Sequence, residues 1–147
     1  MQKQQKYFFR MLIFSSWLLQ LMILVFLKDN LTSVLPMAFS FTGRVIYAIK
    51  LAQPPLEADI MLITVFYLPV IGGAGITSWL KDQAFMFQQL ILDLLQLFEF
   101  WFLLISWITM LYLLQLGNMA STLMLIVNLF FIVWAVVKII HTYRLMH

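Results

Sequence analysis

The chain alternates long apolar stretches with short polar or turn-forming segments. A helix needs about 20 mostly apolar residues to cross the hydrocarbon core of a bilayer. Stretches of about that length cover residues 10–27, 60–80, 97–116 and 119–138. Between the last two, a tight turn is expected at Gly117 and Asn118. The pattern predicts an all-α integral membrane protein, with four transmembrane helices in a single membrane domain, residues 1–147.

Residues 31–50 form a fifth segment whose pattern is less clear. Polar and small residues, among them Ser33, Pro36 and Gly43, recur on one side of a helical projection, and apolar residues fill the other side. This periodicity is typical of an amphipathic helix at the membrane interface. The alternative is a fifth span, which would place Arg44 inside the membrane at a cost of about 2.5–3.5 kcal/mol near the bilayer centre. We therefore predict an interfacial helix.

The distribution of basic residues predicts the orientation in the membrane. Cytoplasmic loops of membrane proteins carry an excess of Lys and Arg. With four spans and a cytoplasmic N-terminus, the outside holds Lys28, Arg44 and Lys50, and the inside holds Lys3, Lys6, Arg10, Lys81, Lys138 and Arg144. Five spans would divide the basic residues evenly between the two sides. Both termini are therefore expected in the cytoplasm or its organellar equivalent, with the protein in a bacterial or organellar inner membrane.

Composition agrees with a membrane protein and excludes several kinds of site. Of the 147 residues, 64% are hydrophobic and 10% are charged, and the mean hydropathy is +0.98, unlike a soluble domain. The chain has no cysteine, which excludes disulfides and cysteine-ligated metals. The two histidines, His141 and His147, lie close to the C-terminus, so none is available for haem or metal within the bilayer. No cofactor is predicted, and the dispersed basic residues, with a net charge of +3, do not indicate nucleic-acid binding.

Two carboxylates, Asp93 and Glu99, stand out in the segment QQLILDLLQLFEFW. Counting about 30 Å of hydrocarbon back from Gly117 puts the inner membrane boundary near Leu97. Asp93 then lies outside the hydrocarbon and Glu99 just within it, on a third helix that begins near Ala84. A solvated polar stripe is the simpler interpretation, and an ion- or proton-handling pair of Asp93 and Glu99 is the alternative.

Lys138 ends the fourth predicted span at the same depth as Glu99. An ion pair between Glu99 and Lys138 would satisfy both charges at the membrane edge. The basic C-terminal end, with Lys138 and Arg144, is also suited to anionic lipid headgroups.

Other candidate positions lie deeper in the predicted spans. Gln20 and Asn128 carry amides near the middle of the first and fourth spans, where such side chains usually form interhelical hydrogen bonds. The second span contains a run of helix-loosening residues, for which we predict a kink that packs closely against another helix: Pro69, Gly72, Gly73 and Gly75.

These observations favour a supporting role over a catalytic one. The sequence contains no nucleophile elbow, no zinc-binding helix motif and no phosphate-binding loop, so we do not expect an enzyme. The abundant Phe and Met residues, 14 and 10, suit irregular packing contacts. We predict a non-catalytic accessory subunit that packs against other subunits of a membrane complex for transport, secretion or respiration. The alternative is a small homo-oligomeric channel or secondary transporter that uses Glu99, Gln20, Asn128 and the Pro69–Gly75 kink.

Overall fold

A computed structural model describes residues 2–52, 56–80 and 87–146 of the chain. Four long helices account for most of it: α1 (Gln2–Phe26), α2 (Leu56–Leu80), α3 (Gln88–Leu113) and α4 (Gly117–Met146). Between α1 and α2 lie a short 3-10 helix, Lys28–Asn30, and two strands, β1 (Val34–Phe39) and β2 (Val45–Lys50). Three residues used in the sequence predictions, Lys81, Ala84 and His147, lie outside the described residues.

The helices follow the apolar stretches of the sequence, and the mostly helical prediction is confirmed. Three helical segments are long and apolar enough to cross a membrane: Leu56–Thr77, Gln88–Leu113 and Gly117–Arg144. A fourth apolar helical segment, Arg10–Phe26, is shorter. The α2 helix continues through Pro69 without a break.

α3 lies at the centre of the bundle, in contact with α1, α2 and α4. The main core contains fully buried Leu24 of α1, Ile63 and Val70 of α2, and Leu113 of α3. A second, smaller core joins α3 to α4 around Ile105, Ile108, Ala120 and Met124. α4 is packed along one face only, and its remaining faces are apolar and exposed.

The predicted amphipathic helix over residues 31–50 is wrong, because this segment forms an antiparallel β-hairpin. Pro36 would interrupt the interior of a helix at a cost of about 3 kcal/mol. It is tolerated at a strand position where the backbone N–H would not donate a hydrogen bond to the neighbouring strand. Gly43 has a φ of +77° and turns the chain between the strands. The turn closes through Ser40, whose backbone N–H donates to the Arg44 carbonyl over 2.8 Å. A transmembrane fifth helix is excluded by the same observation.

Hydrogen bonds, an aromatic contact and a close backbone approach hold the hairpin against α3 and α4. Its start is tied to α3 by a 2.9 Å hydrogen bond from the Thr32 N–H to the Leu113 carbonyl. The Phe39 ring packs on Tyr112, with ring centroids 4.9 Å apart, and the Tyr112 hydroxyl donates to the Gly43 carbonyl. At Gly43 a Cβ would lie 2.8 Å from the Cα of Ser121, so only glycine allows the turn to sit this close to α4.

The turn between α3 and α4 falls two to three residues earlier than predicted. Gln115, with a φ of 63°, makes the reversal, and Gly117 is already the first residue of α4. The backbone N–H groups of Gln115 and Leu116 donate to the carbonyls of Tyr112 and Leu111. These bonds satisfy carbonyls that the end of a helix would otherwise leave unpaired.

Candidate functional site: polar side chains between the helices

Gln20 lies at the centre of a polar cluster that joins α1, α2 and α3. Its side chain is fully buried, with 0% exposure. One end of its amide lies 2.9 Å from the Tyr67 hydroxyl of α2, and the other lies 3.1 Å from the Ser106 hydroxyl of α3. With the amide turned so that both ends are satisfied, Nε2 donates to Tyr67, and Oε1 accepts from Ser106 and from the Trp107 indole. Gln20 thereby bridges three helices.

The same cluster extends to a second layer of contacts. Ser16 of α1 lies 3.0 Å from the Tyr67 hydroxyl and accepts a 2.8 Å hydrogen bond from the Trp107 indole N–H. Trp17 donates to the Thr64 hydroxyl over 3.2 Å. Each of these polar groups is therefore paired with another protein group, which is what the lipid interior requires.

Asn128 occupies a comparable position between α3, α4 and the hairpin. Its Oδ1 accepts a hydrogen bond of 2.9 Å from the Trp101 indole of α3. Its Nδ2 donates to the Phe41 carbonyl in the hairpin turn over 2.8 Å. The amide therefore ties the turn to the bundle.

Glu99 is buried between α3 and α2, with 3% exposure. The Thr77 hydroxyl of α2 donates to its Oε1 over 3.3 Å. The carboxylate also lies directly over Gly73, where an added Cβ would be 2.8 Å from Oε1. The expected position of Glu99 in a solvated stripe is therefore wrong. Three surface grooves in the described part of the chain have volumes of about 770, 520 and 360 Å³, and Glu99 does not line any of them.

The predicted ion pair between Glu99 and Lys138 is also wrong. Lys138 forms its salt bridge with Asp93, and the Nζ to Oδ2 distance is 2.8 Å. The two carboxylates face different neighbours, because six residues along a helix correspond to about 240° of rotation. Asp93 points to α4 and Glu99 to α2, so the structure does not bring them together as one ion-handling pair. Lys138 is partly exposed beside Asp93, and Arg144 is exposed about 1.7 turns further along α4.

The glycine run of α2 contributes one residue to a helix interface. Gly73 is buried under Glu99, as just described. Gly72 and Gly75 have nothing within 4 Å of an added Cβ and face away from the core. Pro69 is partly buried within the helix. The predicted close packing therefore holds at Gly73 alone of the three glycines.

Asp59 is a buried carboxylate that the sequence did not single out. It has 0% exposure and lies in the first turn of α2. Neither oxygen has a hydrogen-bond partner among the described residues. The partial positive charge at the start of a helix is favourable for a carboxylate at this position.

Tyr67, Ser16 and Thr77 were not predicted as polar partners. Interfacial positions are typical of tyrosine in membrane proteins, and small hydroxyl residues are common on any span, so neither residue type marks an internal contact. The available signal is that Tyr67 lies near the middle of an apolar stretch, far from either end. Such a hydroxyl needs a partner at that depth.

Hydrogen bonds join the polar side chains of the Gln20 and Asn128 clusters to one another and to backbone carbonyls. Within residues 2–52, 56–80 and 87–146, no three His, Cys, Asp or Glu side chains are grouped to hold a metal ion. No family model, curated protein or solved structure matches the chain. A function must therefore be inferred from the geometry of the polar clusters and of the outer surface.

Proposed function

We propose that the protein is a non-catalytic accessory subunit of a larger membrane-protein complex, such as a transport, secretion or respiratory assembly. The observation that carries the proposal is a contrast between the inside and the outside of the bundle. Between the helices, Gln20, Ser106 and Asn128 bond to protein groups. The outer surface presents large apolar side chains over the length of α4. A protein with such a surface can pack against neighbouring membrane proteins.

We place the bilayer by the polar groups at the ends of the helices. In this placement the salt bridge between Asp93 and Lys138 marks the inner boundary of the hydrocarbon. Twenty positions separate Asp93 from Leu113 on α3 and Lys138 from Asn118 on α4, which corresponds to about 30 Å of helix and matches the hydrocarbon thickness. Residues 60–80 of α2 have the same length. The α1 helix is the fourth crossing, with both termini on the cytoplasmic side.

Two grooves in the outer surface are suited to neighbouring helices. The larger, of about 770 Å³, lies between the hairpin, α3 and α4. The other, of about 520 Å³, lies between α1 and α2. Since burial from water does not drive helices together in lipid, close packing into such grooves is the main source of association. A third groove, of about 360 Å³, adjoins the Asp93–Lys138 pair and is lined mostly by apolar side chains, which suits the acyl chain of a lipid whose headgroup lies near Lys138.

Purification in a mild detergent, followed by mass spectrometry of the proteins that co-migrate, tests the proposal. We expect foreign membrane subunits in fixed stoichiometry. Ala135 lines the larger groove, and Ala135→Trp should fill it and release the partner. Val137 is exposed on α4 outside that lining, so Val137→Trp is the matched control and should leave the complex intact. A chain that purifies alone from its native membrane under all mild conditions contradicts the proposal.

A channel or secondary transporter is the second candidate, and the buried Glu99 is the observation that favours it. Ionisable side chains inside a membrane often mark an ion or proton path. Purified protein in vesicles, with a pH- or ion-sensitive dye inside, distinguishes the two functions. Flux that Glu99→Gln abolishes, with an unchanged thermal midpoint, would support transport. A lowered midpoint without any flux would support the accessory role.

A further inference from the structure

Arg10 of α1 carries a positive charge that no acidic side chain in the described part of the chain balances. The residue is exposed, and it forms no salt bridge with any residue that the structure describes. A guanidinium group has five N–H donors and remains charged throughout the physiological pH range. Such a group at the edge of a membrane requires an anion from outside the chain.

The bilayer placement proposed above puts Arg10 close to the inner headgroups. Sixteen positions separate Arg10 from Phe26 at the outer end of α1, which correspond to about 24 Å of helix. In a hydrocarbon layer of about 30 Å, the Cα of Arg10 therefore lies about 6 Å short of the inner boundary. Long basic side chains near the ends of spans extend to the interface. The phosphate groups of inner-leaflet lipids are the anions at that level.

Arg10 also lies at the inner end of the groove of about 520 Å³ between α1 and α2. Small residues of α2 leave this end open, because Gly75 has nothing within 4 Å of an added Cβ and Ala74 beside it carries only a methyl group. Gly75 lies five positions before Leu80, or about 7.5 Å from the inner boundary when residues 60–80 span the hydrocarbon. The depth of the groove on α2 therefore agrees with that of Arg10 on α1.

Beyond Arg10, the walls of the groove offer no free polar group. Most of the lining side chains are apolar, among them Ile13, Phe14, Leu68 and Ile71. The Thr64 hydroxyl accepts a hydrogen bond from the Trp17 indole and donates to the Ile60 carbonyl. The Tyr67 hydroxyl belongs to the Gln20 cluster. The groove therefore suits a molecule with an apolar chain next to an anionic group.

The groove is about as long as one leaflet of the bilayer is thick. Its lining extends over seven positions of α1, from Arg10 to Trp17, and over eleven positions of α2, from Gly75 to Thr64. These distances correspond to about 10–16 Å of helix, and half of the hydrocarbon layer is about 15 Å. An acyl chain of an inner-leaflet lipid covers this distance from the headgroup level to the middle of the bilayer.

We propose that this groove binds an anionic phospholipid of the inner leaflet, with the phosphate on Arg10 and one acyl chain over Ala74 and Gly75. A guanidinium group can donate two parallel hydrogen bonds to a phosphate, which fixes the position of the headgroup. The inference rests on the bilayer placement of the proposed function, but it does not require any foreign subunit. A neighbouring helix is the competing occupant of the groove.

Binding of phosphatidylglycerol to the purified full chain in detergent tests the proposal, with native mass spectrometry and the thermal midpoint as readouts. Phosphatidylglycerol should bind more tightly than phosphatidylcholine, whose phosphate is balanced by its own choline cation. It should also raise the midpoint, because a ligand of the folded state stabilises that state. Inorganic phosphate should do neither, since it has no acyl chain.

Arg10→Gln should weaken the binding of phosphatidylglycerol about tenfold or more, because hydrogen bonds to a charged group are lost. Arg10 forms no salt bridge within the described chain, so the midpoint without lipid should not change. Lys28→Gln is the matched control. It removes an exposed positive charge at the outer end of α1 and should leave binding intact.

Gly75→Leu tests the groove separately from the charge. The new side chain would fill the open end of the groove and should weaken the binding of phosphatidylglycerol as much as Arg10→Gln does. Gly72→Leu is the control, because Gly72 is equally open but does not line the groove. Leucine is a better helix former than glycine, so neither variant should lower the midpoint without lipid.

Cross-linking in the native membrane identifies the occupant. The natural chain has no cysteine, and Leu68 is an exposed lining residue, so Leu68→Cys can carry a photoreactive benzophenone. The expected product is a cross-link to phospholipid. A cross-link to a polypeptide instead would mean that a neighbouring helix fills the groove, and the lipid site would be wrong.

Three results with the purified chain would also overturn the site. They are equal binding by Arg10→Gln and Lys28→Gln, equal binding of phosphatidylglycerol and phosphatidylcholine, and unweakened binding by Gly75→Leu. These outcomes are independent of co-purifying subunits. Foreign partners without selective lipid binding leave the accessory role standing, and selective lipid binding by a chain without foreign partners does the opposite.

Discussion

The carboxylate of Glu99 occupies the space that a side chain at position 73 would take. The sequence placed Glu99 on the third helix but could not say which neighbour it faced. Asp93 and Glu99 are both acidic and close in sequence, yet one meets Lys138 and the other meets Thr77. Whether an acidic side chain is solvated or buried depends on how α2 is rotated against α3.

Gly73→Ala should destabilise the protein, because the added Cβ would lie 2.8 Å from Glu99 Oε1. Overpacking of this kind costs about 1–3 kcal/mol. Gly72→Ala is the matched control: nothing lies within 4 Å of its Cβ, and replacing glycine in a helix gains up to about 1 kcal/mol. Thermal midpoints in detergent measure both. Equal midpoints for the two variants would show that Glu99 does not pack on Gly73.

A double-mutant cycle should detect the pair between Asp93 and Lys138. Both side chains are partly exposed, at 27% and 38%, so a coupling free energy of no more than about 1 kcal/mol is expected from Asp93→Asn and Lys138→Met. The comparison cycle combines Glu99→Gln with Lys138→Met, and its coupling should be near zero. A larger coupling in the second cycle would restore the pair that the sequence suggested.

At the scale of elements, the four helices could be predicted and the hairpin could not. Long apolar stretches leave a helix as the simplest way to satisfy the backbone in lipid. Residues 31–50 have a mixed pattern, in which helical periodicity competes with Pro36, Gly43 and the β-branched residues of β2. The contacts of the turn with Tyr112 and Asn128 select the hairpin. Those contacts are distant in sequence, so local patterns do not reveal them.

Gly43→Ala should loosen the hairpin from α4. Alanine is strained at a φ of +77°, and its Cβ would lie 2.7 Å from that of Met124. A loss of about 2 kcal/mol is expected. Amide hydrogen exchange across residues 45–51 should accelerate. Thr42→Ala, which removes an exposed hydrogen bond of 3.0 Å to Ser40, is the control and should have little effect. Unchanged exchange in Gly43→Ala would mean that the turn does not dock on α4.

At the scale of the whole molecule, α3 holds the bundle together and α4 remains open on most of its surface. This asymmetry underlies the accessory role proposed here, because an open apolar helix in lipid is available for packing. The proposed bilayer lies between the Asp93–Lys138 pair and the turn at Gln115.

That placement predicts a sharp change in water accessibility along α4. Val133 and His141 are both exposed in the structure, but only His141 lies beyond Lys138. In intact vesicles whose cytoplasmic side is accessible, His141→Cys should react with a membrane-impermeant maleimide and Val133→Cys should not. After full denaturation both should react, which controls for intrinsic reactivity. Equal labelling before denaturation would show that α4 does not cross the bilayer as placed.

The sequence by itself determined the mostly helical class and the approximate positions of the apolar helices, three of which are long and apolar enough to cross a membrane. These properties depend on the length and hydropathy of continuous segments, which are local. Only the tertiary structure decided that Gln20 meets Tyr67 and Ser106, that Lys138 pairs with Asp93, and that residues 31–50 form a hairpin. Each of these depends on the rotation and spacing of elements far apart in the chain, because a helical repeat specifies the face of a side chain but not its partner.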